Sequence, residues 1–258
     1  MNIVMSIELA SILFSAAMIA GVVDSIAGGG GLITVPVLLS IGLSPAQALA
    51  TNKLQAVGGS FSASLYFLSR GLVKLQDLKL AIMLSFLSSA MGTLLVQTID
   101  PYLLTYLIPF LLIGIACYFM FAPNIGDEDS QQRISMLLFS CSAAILIGFY
   151  DGFLGPGTGS FFTLAFVSLL GYSLTRATAH AKVLNCTTNV ASLLFFILGG
   201  KMVWSVGGIM IIGQFLGARL GSALVFVNGK KIIRPMIVVV SLTVTIKLLC
   251  DRYGLSFF

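Results

Sequence analysis

The chain carries its own sequence twice. Residues 42–95 align with 171–224 at a constant offset of 129, half of the 258 residues, and Gly42, Ser44, Ala48, Ala50, Lys53, Leu65, Phe67, Gly71, Ile82, Phe86, Leu87, Gly92 and Leu95 recur. Upstream, at an offset of 127, Gly21, Asp24, Gly28 and Gly30 match Gly148, Asp151, Gly155 and Gly157. A repeat of this length restricts the fold to two homologous units of one architecture, here 1–127 and 128–258.

Each unit is a series of apolar runs broken at matching places. The first has 6–23, 32–43, 45–69, 78–97 and 102–122; the second has 134–150, 160–171, 174–198, 206–227 and 232–249. With 58% hydrophobic and only 9% charged residues, against roughly 25% charged in a soluble domain, the chain leaves no polar half for a soluble catalytic domain. Its solvent is the lipid bilayer, and the fold class is an all-α polytopic membrane protein whose two repeats together make one transmembrane domain. The net charge of +5 comes from unclustered basic residues, which argues against nucleic acid as a partner and for a role in orientation. Cys117, Cys141, Cys186 and Cys250 show no CxxC or Cys/His spacing, so they read as buried reduced thiols rather than a disulfide or metal framework. Residues 1–8 contain no Lys or Arg and no A-x-A site precedes Gly21, so the first run is expected to stay as a membrane helix.

The second run of each unit is too short to span a bilayer in the usual way, since a full span takes about 20 residues. It reads as a half-helix, a re-entrant segment or a strongly tilted span. Ser44-Pro45-Ala46-Gln47 has the pattern of a capped helix start, and Ser173 holds the equivalent position. Five segments per unit with an outside amino terminus put nine basic residues inside and four outside, whereas four segments plus a re-entrant loop nearly balance them. The positive-inside rule therefore favours five plus five, within a range of eight to ten segments in all. An odd number per unit inverts the two repeats, a common plan of secondary transporters. Loops 70–79 and 228–234 should then face the cytoplasm, and 97–101 and 199–208 the outside.

The paired interruptions carry the chemistry. In the first unit Asp24 is followed by Gly28, Gly29, Gly30 and Gly31; in the second Asp151 is followed by Gly155, Pro156, Gly157, Thr158 and Gly159. Glycine permits positive φ and close backbone approach, and the helix that follows offers unpaired N–H groups, together an anion cradle. Broken helices at corresponding places in two repeats point to a transport site; the competing reading is tight turns for helix packing. Lys53 and Lys182 are also repeat-equivalent, about 12 Å into a helix, with polar neighbours Thr51, Asn52 and Gln55 in one unit and His180, Asn185 and Asn189 in the other. Such lysines either snorkel to the interface or serve a site, and two of them suit a small divalent anion. Asp24 and Asp151 read as proton carriers, as counter-ions to the lysine of their own unit, or as solvated helix ends. His180, the only histidine, is either structural or a coupling residue. Gln214 and Arg219 interrupt the run 206–227; Arg219 is expected to face a polar cavity, and Gly217 and Gly221 to mark helix packing.

Gly28-x-Gly30-Gly31 followed by Pro36, the Ala50-Thr51-Asn52-Lys53 stretch, Gly71 after a long helix, and the segment from Phe86-Leu87 to Gly92, with their second-half counterparts, resemble the sulfite exporter TauE/SafE family of membrane permeases, of the 4-toluene sulfonate uptake type. The resemblance implies ion-coupled secondary transport or export of sulfite, a sulfonate or a related sulfur-containing anion across the plasma membrane, without ATP. Pro156 and Thr158 stand where the first unit has Gly29 and Gly31, a departure from the glycine run. The chain has no P-loop pattern, so neither nucleotide nor any other cofactor is expected. A passive anion channel is the alternative, and an intramembrane aspartyl enzyme using Asp24 and Asp151 is the rival from another class; no residue is assigned a catalytic role. A homodimer is suggested by analogy alone.

Overall fold

The computed structural model describes residues 5–98 and 128–229, together with 231–233, 235, 236 and 239. The run 102–122, most of the run 232–249, and Cys117, Cys250, Lys230 and Arg234 lie outside the described residues. The described chain is helical: α1 (Ile7–Ala27), α2 (Gly30–Ser40), α3 (Pro45–Ser69), α4 (Leu75–Val96), α5 (Met136–Phe153), α6 (Thr158–Leu170), α7 (Leu174–Leu198) and α8 (Trp204–Asn228). α5 contains one π-helical turn at Ser140–Ala144. Five of these helices, α1, α4, α5, α7 and α8, are long and apolar enough to cross a membrane. α2 and α6, with 11 and 13 residues, reach only about 16 and 20 Å, short of the roughly 30 Å hydrocarbon core.

Local chemistry sets the helix ends. The Ser44 hydroxyl accepts from the Gln47 N–H at 3.4 Å while the Gln47 side-chain Oε1 accepts from the Ser44 N–H at 3.1 Å, so the capping box read from the sequence forms. Its counterpart does not, because the Ser173 hydroxyl makes no cap bond. There Asp129 takes over: its Oδ1 accepts from the Ser173 N–H at 2.6 Å and its Oδ2 pairs with Arg176 at 3.0 Å. The Ser173 N–H is the main reason that the Asp129 carboxyl sits below its ordinary value of 3.8. α1 stops at Gly28, whose φ of +73° only glycine adopts readily, and α6 begins after Gly157 at +85°.

The most extensive packing runs between the two sequence units. α1 lies against α8, α8 against α3, α4 against α5 and α7, and α3 against α7 at the centre. Glycine makes the closest crossings possible. A Cβ on Gly148 of α5 would come within 2.8 Å of the Ser85 carbonyl of α4, and one on Gly92 of α4 within 2.9 Å of the Phe153 nitrogen. On the other side, Gly21 of α1 abuts Ala218 of α8, while Gly217 and Gly221 abut Met18 and Val22. Gly21 with Gly148 and Gly92 with Gly221 are recurring pairs of the alignment, and small residues of this kind let membrane helices approach backbone to backbone.

Polarity is inverted relative to a soluble protein. Ile12, Ile19, Leu87, Met91, Leu146, Leu198 and Val227 are exposed, whereas Thr51, Ser60, Ser64, Ser89, Thr93, Thr188 and Ser192 are buried. The buried hydroxyls bond across helices, Ser89 to Ser192 and to the Thr188 carbonyl, both at 2.9 Å, and Ser64 to the Lys182 carbonyl at 2.9 Å. An apolar exterior of this extent is stable only against lipid. Cys141, expected to be buried, is exposed on α5; as a small weakly polar residue it suits lipid as well as a core. Arg219 is exposed too and stacks over the Tyr66 ring at 5.0 Å, so it does not face a polar cavity as the sequence suggested.

Candidate functional site

The two chain breaks meet at the centre of the bundle. Gly28, between α1 and α2, and Gly159, at the start of α6, touch so closely that a side chain on either would overlap the other's backbone. The Ser160 hydroxyl adds a hydrogen bond across this crossing to the Ala27 carbonyl. In the second break the Tyr150 hydroxyl donates to the Pro156 carbonyl at 2.6 Å and fixes the loop.

Two buried ion pairs flank the crossing, and each joins one sequence unit to the other. Lys53 Nζ on α3 lies 2.8 Å from Asp151 Oδ1 on α5, and Lys182 Nζ on α7 lies 2.9 Å from Asp24 Oδ2 on α1. One of the three readings of the aspartates made each the counter-ion to the lysine of its own unit; the structure corrects this to the lysine of the other. The cause is the packing pattern, which places α3 and α7 side by side and brings the break after α1 against that after α5. All four residues are buried, with exposures of 8% for Asp24, 1% for Asp151, 2% for Lys53 and 1% for Lys182. The aspartates are therefore not solvated helix ends and the lysines do not snorkel.

The two pairs are built differently. Lys53 uses all three of its N–H donors, on Asp151 Oδ1, the Asp151 carbonyl at 2.6 Å and Asn189 Oδ1 at 3.2 Å. Among the described residues, Lys182 bonds only Asp24. Asp24 Oδ1 accepts from the Gly30 N–H at 3.2 Å, and Asp151 Oδ1 also accepts from the Thr158 hydroxyl at 2.8 Å. At the start of α2, read as a cradle for an external anion, one N–H is thus taken by the chain's own carboxylate, whereas at the start of α6 it is the Thr158 hydroxyl that meets one. Asp151 Oδ2 is buried and has no hydrogen-bond partner among the described residues.

Between the breaks lies a cavity of about 20 Å³, room for about one water. Of the expected site residues, Asp24, Gly28, Gly31, Asn52, Asp151, Gly155, Gly157, Thr158, Gly159, Asn185 and Asn189 border it. Lys53, Lys182, Gly29, Gly30, Thr51, Gln55 and His180 do not. The cavity is thus lined by the aspartates and not by the lysines paired with them. Gln55 donates to Asn52 Oδ1 at 2.9 Å and Thr51 accepts from the Val203 N–H at 3.2 Å; His180 hydrogen-bonds the Arg176 carbonyl at 2.8 Å and packs on Tyr172 and Phe166. Asp24 and Asp151 make no hydrogen bond to each other among the described contacts, so the shared-proton dyad of an aspartyl enzyme is not assembled.

Two participants were missed from the sequence. Ala56 borders the cavity, and its repeat-equivalent is Asn185, a signal that was available in the alignment. Thr34 on α2 hydrogen-bonds Asn52 Oδ1 at 2.6 Å and orients that amide; nothing in its local sequence marks it.

A family model for the sulfite exporter TauE/SafE matches residues 13–248. The chain belongs to that family. Over 246 residues it is 54% identical to the "Probable membrane transporter protein YfcA" of Escherichia coli (strain K12), covering 95% of this chain and 91% of that protein. Over 246 residues it is 52% identical to a "Probable membrane transporter protein" of Haemophilus influenzae, covering 95% of this chain and 96% of the relative. No solved structure matches it. As a TauE/SafE member with five described helices able to cross a bilayer, the chain is a multi-pass membrane protein of a transporter family.

Proposed function

We propose that this protein is a secondary transporter of a small sulfur-containing anion, sulfite or a sulfonate, in the plasma membrane, and that the substrate binds in the cavity between the two breaks. The observation that carries this reading is the central crossing: two broken helices, one from each sequence unit, enclose a polar cavity flanked by four buried charges. Burying two lysines and two aspartates in lipid is costly, and such groups mark ion pathways in membrane proteins. The amides of Asn52, Asn185 and Asn189 supply the neutral donors that an oxyanion needs. Its two halves form an inverted pair, each with five membrane segments, and loops 70–79 face the cytoplasm.

A carrier fits better than a channel. At about 20 Å³ the cavity is far too small for a sulfonate group, so substrate enters only when the breaks move apart, whereas a pore needs a continuous path. The test is counterflow in proteoliposomes with sulfite, sulfate, thiosulfate, sulfoacetate, taurine and methanesulfonate. A carrier preloaded with unlabelled anion accelerates uptake of the labelled one; uptake indifferent to preloading would establish a channel. Lys53→Ala and Lys182→Ala should each weaken anion binding by about 2 kcal/mol or more, since each removes a buried charge beside the ligand. Substrate-dependent thermal stabilisation reads this directly.

A further inference from the structure

We infer that the anion is carried with protons, one for each negative charge, and that these protons reside on Asp151 and Asp24. This deepens the transport reading above and rests on it. The starting point is charge. Two lysines and two aspartates, paired one to one, leave the site neutral, and the aspartates, not the lysines, are among the residues that line the cavity. An anion entering that space meets two carboxylates at close range in a low-dielectric interior, where like charges repel strongly.

Protonation removes the obstacle without moving a lysine. Asp151 Oδ1 is occupied by Lys53 and Thr158, while Oδ2 is buried and bare, so Oδ2 is the oxygen that takes the proton. The resulting O–H is a donor where the carboxylate could only accept. The charge of Lys53, held in place by the Asp151 carbonyl and Asn189, is then free to stabilise the anion. The same step at Asp24 frees Lys182, whose remaining N–H donors are without partners among the described residues. One proton and a monoanion, or two protons and a dianion, leave the site as neutral as it began. On release the proton departs with the anion and the ion pair re-forms.

Among the described residues no other charged group is bonded to either aspartate. Asp151 faces Lys53 from α3, Thr158 from α6 and, through Lys53, Asn189 from α7, and Ser85, Ser88, Ser89, Gly92 and Thr93 of α4 lie against α5. Asp24 faces Lys182 from α7 and the Gly30 N–H from α2, and α8 contributes Gln214 beside Gly30. The two aspartates are not equal, because both oxygens of Asp24 are bonded. Asp151 accepts the first proton.

The test uses methanesulfonate, which stays a monoanion across the neutral range and does not cross the bilayer as a neutral acid. In proteoliposomes at zero membrane potential, with equal sodium on both sides and the outside about two pH units more acidic, the wild type should accumulate the anion up to about a hundredfold, the limit for one proton per anion. A lumenal pH dye should show acidification when methanesulfonate is added outside. Asp151→Asn removes the ionisable carboxyl, so it should abolish the pH-driven accumulation and the lumenal acidification. Wild-type counterflow without accumulation or lumenal acidification would overturn the proton coupling alone, as would accumulation driven by sodium. The absence of counterflow would sink the sulfonate-carrier reading as well. The dye measurement needs no variant, so misfolding of Asp151→Asn cannot protect the proposal.

Discussion

The cross-unit ion pairs make a quantitative prediction. Lys53 and Asp151 lie 2.8 Å apart, almost fully buried, and removing one partner of such a pair leaves the other charge uncompensated at a cost of about 3 to 5 kcal/mol. Lys53→Met does this to Asp151, which would keep only the Thr158 hydroxyl on Oδ1. Adding Asp151→Asn removes the orphan charge, so the double variant should recover much of the loss. The coupling between positions 53 and 151 should therefore be about 2 kcal/mol or more, at the upper end for residues in direct contact. Between 53 and 24, the pair within one sequence unit, it should stay below about 1 kcal/mol, because Asp24 Oδ2 is bonded to Lys182. Reversible unfolding in mixed micelles, measured as two double-mutant cycles, gives both numbers. A larger coupling for 53 with 24 than for 53 with 151 would refute the exchanged pairing.

Three further predictions use other parts of the structure. Gly148→Val and Gly92→Val each push a side chain into the facing backbone of the α4–α5 contact, and both should cut the yield of folded protein, whereas Gly71→Ala, which meets nothing within 4 Å, should cost far less through its positive φ alone. Asp129→Asn should loosen the start of α7 by up to about 1 kcal/mol, the range for an exposed pair, read as faster amide exchange at Ser173. Because the folded carboxyl lies below 3.8, that contribution is present above this value and lost as pH falls through the folded one, so wild type and variant should converge in acid. Single cysteines in loops 70–79 and 199–208, in a Cys-free background, should be labelled from opposite faces of the membrane; labelling from one face would replace the inverted arrangement by four spans per unit.

Much of this was legible in the sequence, for a physical reason. In lipid the backbone must satisfy itself within each helix, so helix ends follow from caps and glycines, and Ser44-Pro45-Ala46-Gln47 and Gly28 mark theirs directly. The recurring glycines foretold close crossings because only a missing Cβ permits them. What sequence could not show was the partner of each crossing. Asp24 and Lys53 belong to one unit, yet their counter-ions are Lys182 and Asp151 of the other, since partner choice depends on how α3 and α7 pack. For the same reason the lysines were expected to line the cavity, which is lined instead by the aspartates they pair with. Arg219 was misplaced because the hydropathy of α8 gives no rotational phase that separates a lipid-facing arginine beside Tyr66 from a cavity-facing one.

The central claim is that substrate passes through the cavity at the crossing of the two breaks, and a plug tests it most directly. Ala56→Leu adds three carbons at the cavity wall without touching an ion pair. Counterflow should be abolished, along with anion-dependent thermal stabilisation, while the folded yield stays near that of the wild type. Counterflow at the wild-type rate in a folded Ala56→Leu protein would place the transport path elsewhere in the molecule.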